Sequence, residues 1–319
     1  MPWLRTISLL SAIGSLTVGV SAPAAQIALT FDDLPLLGAP SSIEDMSGTT
    51  TRLLDGLRRH HLRAIGFVIG NTIEGSQYAE RVKLLRQWLD AGMDLGNHSY
   101  SHASLNKLPV DAYIADVARG DGAIRSLLAE RGRTPVWYRH PFLATGTTLA
   151  AREKFESWLT EHDYRVAPVT MENSDWMFAL PYDDAVLHGN AAEAARIRRA
   201  YVDFTAKMVP WYRSASVALL GREVPFVILL HASRLNADSI DDLALILKAN
   251  HLHGVSLKHA MKDPAYRTPD NYAGPNGIEW LERWSLTLHK EMPWRSMPTP
   301  PADIAALSTR LDAQGVAKR

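Results

Sequence analysis

Short apolar runs rich in β-branched and aromatic residues alternate along the chain with longer stretches in which apolar residues recur every three or four positions. The first run, Ile27-Ala28-Leu29-Thr30-Phe31, has the character of a buried strand and stops at two adjacent carboxylates, Asp32 and Asp33. An amphipathic helix is expected over 47–61, with Leu53, Leu54 and Leu57 on one face, followed by a buried strand over 64–69. A helix over 77–91, closed by Gly92, leads to a short strand over 93–96. The same rhythm gives a helix over 110–130, a strand over 136–139, a helix over 147–162 and a strand over 164–169. Repeated β-then-α units predict an α/β domain with parallel strands, either an open sheet or a barrel.

The rhythm breaks between Asp175 and Val224, where a long helix is expected over 191–220. Its Tyr201, Phe204, Met208, Trp211 and Tyr212 fall near helical spacing, a packing stripe first and a groove wall as the alternative. The most apolar strand, 224–230, then ends at His231. A helix over 238–249 carries Asp241 and Asp242 in its expected first turn, which would suit the helix dipole, and a short strand closes the series at 254–257. From 264 the repeat is over: the turn-rich stretch 271–277 feeds a helix with Ile278, Leu281 and Trp284 inward, and the proline-rich tail from Pro293 reads as a loose extension or docking helix.

At 319 residues the chain can bury one large core, so a single main domain is expected over 25–263, with a C-terminal extension over 264–319 packing on it. Residues 7–20 are apolar, lie behind Arg5 and precede Ala22-Pro23-Ala24, a pattern expected of an export signal over 1–24; the run is too short and glycine-broken for a membrane span. The mature protein is thus expected to be periplasmic or secreted. Lysine plus arginine and aspartate plus glutamate both number 34, which argues against a nucleic-acid or anionic-membrane partner. With no cysteine, thiol catalysis, thiolate metal sites and disulfides are excluded.

Polar clusters recur where apolar segments end, at Asp32-Asp33, His98 with His102, Arg139-His140-Pro141, Asp175-Trp176 and His231. Two histidines four residues apart would share one face of a helical turn, within reach of one metal ion, and two histidines plus a carboxylate form a common catalytic zinc set. Paired aspartates at a strand end also occur as plain solvated turns. Arg139 and Asp175 would equally serve as a structural ion pair and Trp176 as core.

Taken in order, Thr30-Phe31-Asp32-Asp33, His98-Ser99-x-x-His102, Arg139-x-Pro141-Phe142, Asp175-Trp176 and Leu229-x-His231 resemble the five motifs of the polysaccharide deacetylase family, carbohydrate esterase family 4 or NodB-homology domain. The resemblance spans about residues 26–260. It implies a distorted (β/α) barrel of about seven strands, here with a helical insert before the last strands and a C-terminal extension. It also implies a divalent metal, usually zinc, and removal of N-acetyl or O-acetyl groups from a glycan. By the resemblance Asp33, His98 and His102 are metal ligands, Asp32 is the base, Arg139 holds that base ionised, Asp175 orients His231, and His231 is the acid. Leu229 would line the acyl pocket, with Phe142 and Trp176 toward substrate. Phe142 stands where the family usually has tyrosine, and its backbone N–H is the implied oxyanion donor. The expected partner is an N-acetylated glycan on an exported or cell-envelope polymer. A small non-sugar amide, imide or formamide on the same fold is the alternative substrate, and a catalytically silent glycan-binding protein the alternative class.

Overall fold

The β-then-α rhythm builds one parallel sheet in the computed structural model, which describes residues 25–38 and 42–314. The export signal expected over 1–24 lies outside the described residues. The strands are β1 (Gln26–Leu34), β2 (Ala64–Val68), β3 (Asp94–Asn97), β4 (Trp137–Tyr138), β5 (Arg165–Val166), β6 (Met171–Glu172), β7 (Phe226–His231) and β8 (His253–Gly254). Helices are α1 (Ile43–Arg59), α2 (Tyr78–Asp90), α3 (Val110–Ala129), α4 (Leu149–Glu161), α5 (Asp175–Leu187), α6 (Ala191–Leu220), α7 (Arg234–Ala249), α8 (Leu257–Ala260), α9 (Trp280–Leu288) and α10 (Ala302–Ala313).

The strand order is β5-β4-β3-β2-β1-β7-β6, with β8 paired to the start of β1. β5 and β6 are consecutive in sequence yet lie at opposite edges of that path. Ala167 N still donates to Tyr138 O on one rim (2.7 Å), while Thr170 N already donates to Val227 O on the other (3.0 Å). Five Cα steps from Val166 to Met171 reach at most roughly 18 Å, so the sheet must curl until its edges nearly meet. The result is a seven-strand curled half-barrel with one unpaired seam. β1 is an interior strand, flanked by β2 and β7, with Ile27, Leu29 and Phe31 fully inside the core. Burying side chains of this size contributes roughly 1.5–3 kcal/mol each.

Several expectations are corrected. The strand expected over 164–169 is the two short strands β5 and β6, because the segment between them crosses the seam instead of pairing. α5 was not anticipated: its apolar residues lie all round its circumference and Pro181 sits inside it, so it carries no helical stripe to read. α7 starts at Arg234, capped by Ser233 whose side chain accepts Asn236 N, a turn before the expected 238. Asp241 and Asp242 are therefore not in its first turn; Asp241 pairs with Arg59 and His60 at 2.8 Å and Asp242 pairs with Arg198. The last strand is His253–Gly254, earlier than the expected 254–257.

The long helix α6 is capped by Asn190 and closed by Gly221 in the left-handed region at φ 74°. Its whole aromatic stripe is buried, which makes it packing surface against α5 and α7 and rules out the groove-wall alternative for those five residues. α10 packs on α5.

One buried acid makes the fold sensitive to pH. Glu279 caps α9, accepting from Leu281 N (2.8 Å) and Glu282 N (3.4 Å). Burial, joined by the nearby Glu172, pushes its carboxyl up to about 8 from the ordinary 4.5. A raised acid binds its proton more tightly folded than unfolded, so stability is lost as pH climbs from about 4.5 through about 8. Fully realised, such a shift costs on the order of 4 kcal/mol at pH 8. Glu279→Gln, which keeps an acceptor for the cap, is expected to raise the melting temperature at pH 8 and change it little at pH 5. Equal destabilisation at both pH values in thermal melts would refute this role for the charge.

Candidate active site

The five polar clusters converge at the carboxyl ends of the strands, where parallel sheets keep their sites. Asp32 and Asp33 end β1, His98 follows β3, Arg139 follows β4, and His231 ends β7. In the β1–β7 register Asp32 stands directly opposite His231.

His98 and His102 do not share a helical turn, contrary to the expectation from their spacing. They lie in a loop in which Ser99 and His102 both adopt left-handed backbone, φ 66° and 56°. The tight loop does what a helix face would have done: both Nε2 atoms come within 3.4 Å of Asp33 Oδ1. Asp33, Phe142, Leu143 and Ser174 are also left-handed, so six residues at this end of the barrel hold a conformation that costs non-glycine residues of order 1–3 kcal/mol each. Such strain persists only where the surroundings over-determine it.

The electrostatics suit a cation. His98 Nδ1 lies 2.8 Å from Arg139 O, which can only accept, so Nδ1 carries a hydrogen, and Nε2 faces Asp33 Oδ1. Burial pushes His102 down to about 4 against the pull of Asp33. Burial would raise the Asp33 carboxyl, but the surrounding histidines, His98 first, more than reverse this and hold it well below the usual carboxylate range. Asp33 Oδ1 is buried without a hydrogen-bond partner. One carboxylate oxygen and two imidazole nitrogens, mutually within 4.8 Å, fit a divalent cation by the chemistry of the set.

Asp32 lies beside this group, its Oδ2 3.7 Å from both His98 Nε2 and Arg139 Nη1, and its buried Oδ1 unpartnered. Arg139 is wholly buried, lies 4.9 Å from the Phe67 ring centroid, and donates through Nη2 to Thr30 Oγ1 (2.9 Å), which in turn donates to Ile228 O (2.7 Å). The other side of the site is the His231–Asp175 pair, joined twice at 2.7 Å: by Nδ1 to Oδ1 and by the His231 backbone N to Oδ2. Burial lowers the His231 imidazole, but Asp175, with Asp33 and Asp32 behind it, brings it up to about 10.

Two residues that sequence reasoning missed extend this pair inward. Asn236 Nδ2 donates to Asp175 Oδ2 (2.5 Å) and to His231 O (2.8 Å), and Tyr201 OH donates to Asn236 Oδ1 (2.6 Å). The helical insert thus braces the Asp175–His231 pair from behind. An available signal was the hydroxyl of Tyr201 in that stripe, since a buried tyrosine needs a partner for it.

At the rim, Phe142 is 61% exposed with its ring 4.4 Å from that of His102, and Trp176 is 48% exposed. Leu229 is buried with Leu143 and Val169, and Trp280 packs on this small apolar cluster. His140 is buried among Tyr113, Tyr138 and Phe155. Burial pushes its imidazole well below the ordinary value.

A family profile described as polysaccharide deacetylase matches residues 19–156. Among curated relatives, a peptidoglycan-N-acetylglucosamine deacetylase of Bacillus cereus is 28% identical over 152 residues, 48% of this chain and 46% of that one. Similar deacetylases of Listeria monocytogenes match over 23% of their length, so the chain spans less than half of these relatives. An uncharacterized 30.6 kDa protein of Geobacillus stearothermophilus is 24% identical over 71% of both chains. A solved carbohydrate esterase family 4 pseudoenzyme from Bacillus anthracis shares the fold at 14% identity and TM-score 0.52, over 75% of this chain and 66% of that one. The first three motifs lie inside the matched stretch, and over it the chain is similar to the polysaccharide deacetylase family.

Proposed function

We propose that the protein is a metal-dependent hydrolase that removes N-acetyl, or O-acetyl, groups from an exported or cell-envelope polysaccharide. The observation that carries this reading is the placement of a buried aspartate, one oxygen of which has no partner, directly across the β1–β7 ladder from an aspartate-held histidine, with three atoms that could hold a metal beside them. The names of the peptidoglycan deacetylases among the relatives support the substrate class.

A divalent cation, zinc by the donor set, held by Asp33, His98 and His102 would polarise the scissile carbonyl and make a water acidic enough to attack near neutral pH. Asp32 takes the proton of the attacking water on its free Oδ1, and Arg139 lies beside Oδ2. As the new carbon–oxygen bond forms, negative charge collects on the former carbonyl oxygen, where the Phe142 N–H stabilises it; this role is indifferent to phenylalanine in place of tyrosine. His231, its Nδ1–H held by Asp175, gives the Nε2 proton to the departing nitrogen, and the carbon–nitrogen bond breaks to release acetate and the free amine. A cation beside Asp33 offsets that carboxylate's share of the raised His231 basicity, leaving Asp175 as the group that keeps the acid charged. Leu229 with Leu143 and Val169 offers a small apolar wall for an acetyl methyl, and the exposed Phe142 and Trp176 offer faces to sugar rings.

One solved relative of this fold is named a pseudoenzyme, so fold alone does not carry activity. Incubating the zinc-loaded protein with peptidoglycan, chitin oligomers and other N-acetylated polymers is expected to release acetate from at least one of them. Release from small amides or formamides alone would replace the glycan reading, and binding without release would make the protein a silent glycan binder.

A further inference from the structure

The loop that carries the Phe142 N–H is not held by the barrel alone. Phe142 and Leu143 are consecutive left-handed residues, φ 57° and 52°, with neither a glycine nor an asparagine to ease them. Within the turn, Leu143 N donates to His140 O and Ala144 N to Pro141 O, both at 3.1 Å, while the Phe142 N–H is left out of these bonds. Two such closures do not over-determine a strained pair.

The rest of the restraint comes from the segment after 263. Arg283, fully buried, donates to Leu143 O and Thr145 Oγ1, each at 2.8 Å, and is itself fixed by Ile278 O (2.8 Å) and Asp270 Oδ2 (3.1 Å). Its guanidinium lies 4.5 Å and 5.0 Å from the Trp280 and Tyr272 ring centroids. From the same segment, Gly277 presses its backbone onto the turn so closely that a Cβ there would fall 1.7 Å from Phe142 O. Asn106 makes a second stitch, accepting Gly146 N (2.8 Å) and donating to Gly274 O and Pro275 O (3.1 and 3.0 Å).

We propose that Arg283 is a positioning residue for the reaction: from the C-terminal segment it locks the Phe142–Leu143 turn in its left-handed form and so fixes the Phe142 N–H at the reacting carbonyl. What the turn does rests on the deacetylase reading above; what Arg283 does to the turn rests on the hydrogen bonds alone. A planar fork with four fixed bonds cannot be replaced by the flexible, tetrahedral ammonium of lysine.

The test compares wild type with Arg283→Lys and Gly277→Ala, each zinc-loaded, on an N-acetylated oligosaccharide and on an activated acetyl ester, with amide hydrogen exchange followed in parallel. Both variants are expected to lose kcat roughly 10- to 100-fold, equally on amide and ester, because charge on the carbonyl oxygen develops in both. KM should stay within about threefold, in keeping with an effect on the transition state. Bound zinc should be unchanged, and exchange should rise at residues 142–145 and not in β1. Gly277→Ala keeps the proposal open to refutation if Arg283→Lys fails to fold. Unchanged kcat, loss confined to the amide, loss of zinc, or exchange rising throughout would overturn it. If wild type cleaves neither substrate, the deacetylase reading fails, and exchange at 142–145 still decides whether Arg283 holds the turn.

Discussion

Replacing His231 by alanine is expected to lower amide turnover by roughly 10²- to 10⁴-fold while zinc content stays at the wild-type level. An amide nitrogen leaves poorly unless it is protonated as the bond breaks, and in the proposed mechanism His231, held by Asp175 at 2.7 Å, supplies that proton. An activated acetyl ester, whose leaving group needs no proton, should lose much less. Equal losses on both substrates would remove His231 from the acid role. Asn236→Ala should reproduce a milder form of the same split, since Asn236 touches only Asp175 and the His231 carbonyl on the site side.

The second large effect separates two neighbours in the chain. Asp32→Asn is expected to keep the metal and lose turnover by roughly 10²-fold or more, because the amide presents no basic oxygen to the attacking water. Asp33→Asn, His98→Ala or His102→Ala should instead strip most of the metal, and with it the melting-temperature increase that zinc gives the wild type. The measurements are metal content by elemental analysis, thermal melts with and without zinc, and acetate release. Metal lost from Asp32→Asn but kept by Asp33→Asn would reverse the division of roles. The geometry sets the expectation: Asp33 Oδ1 is the oxygen that both imidazole Nε2 atoms approach at 3.4 Å, whereas Asp32 is shared between His98 and Arg139 at 3.7 Å.

Much of this was legible in the sequence, for reasons that differ by element. The barrel could be read because every β/α unit up to β5 buries one face, and burial imposes a period. The motifs could be read because each sits where an apolar run stops. α5 left no trace because it is apolar on all sides, and the His98–His102 loop was misread because i, i+4 spacing does not distinguish a helical turn from a tight left-handed loop. Arg283 and Asn236 were invisible as single polar residues in ordinary helices. For Arg283 a signal existed: it lies between the inward-facing Leu281 and Trp284 on a nine-residue helix, and a charge beside such residues must find buried acceptors.

The place of β1 inside the curled sheet, between β2 and β7, also bears on how the chain acquires its structure. Its neighbour β2 follows within one helix, but the strand on its other side arrives only after the insert: Thr30 and Ile228, hydrogen-bonded in the folded protein, are 198 positions apart. Loop closure over such a distance is slow and comes late in folding. A chain that emerges amino-terminus first therefore carries an apolar strand with one bare edge until residue 231 has appeared, the kind of edge that recruits other chains. The same strand junction that brings Asp32 and His231 together makes the nascent protein dependent on being kept from its neighbours until the second half of the chain is available.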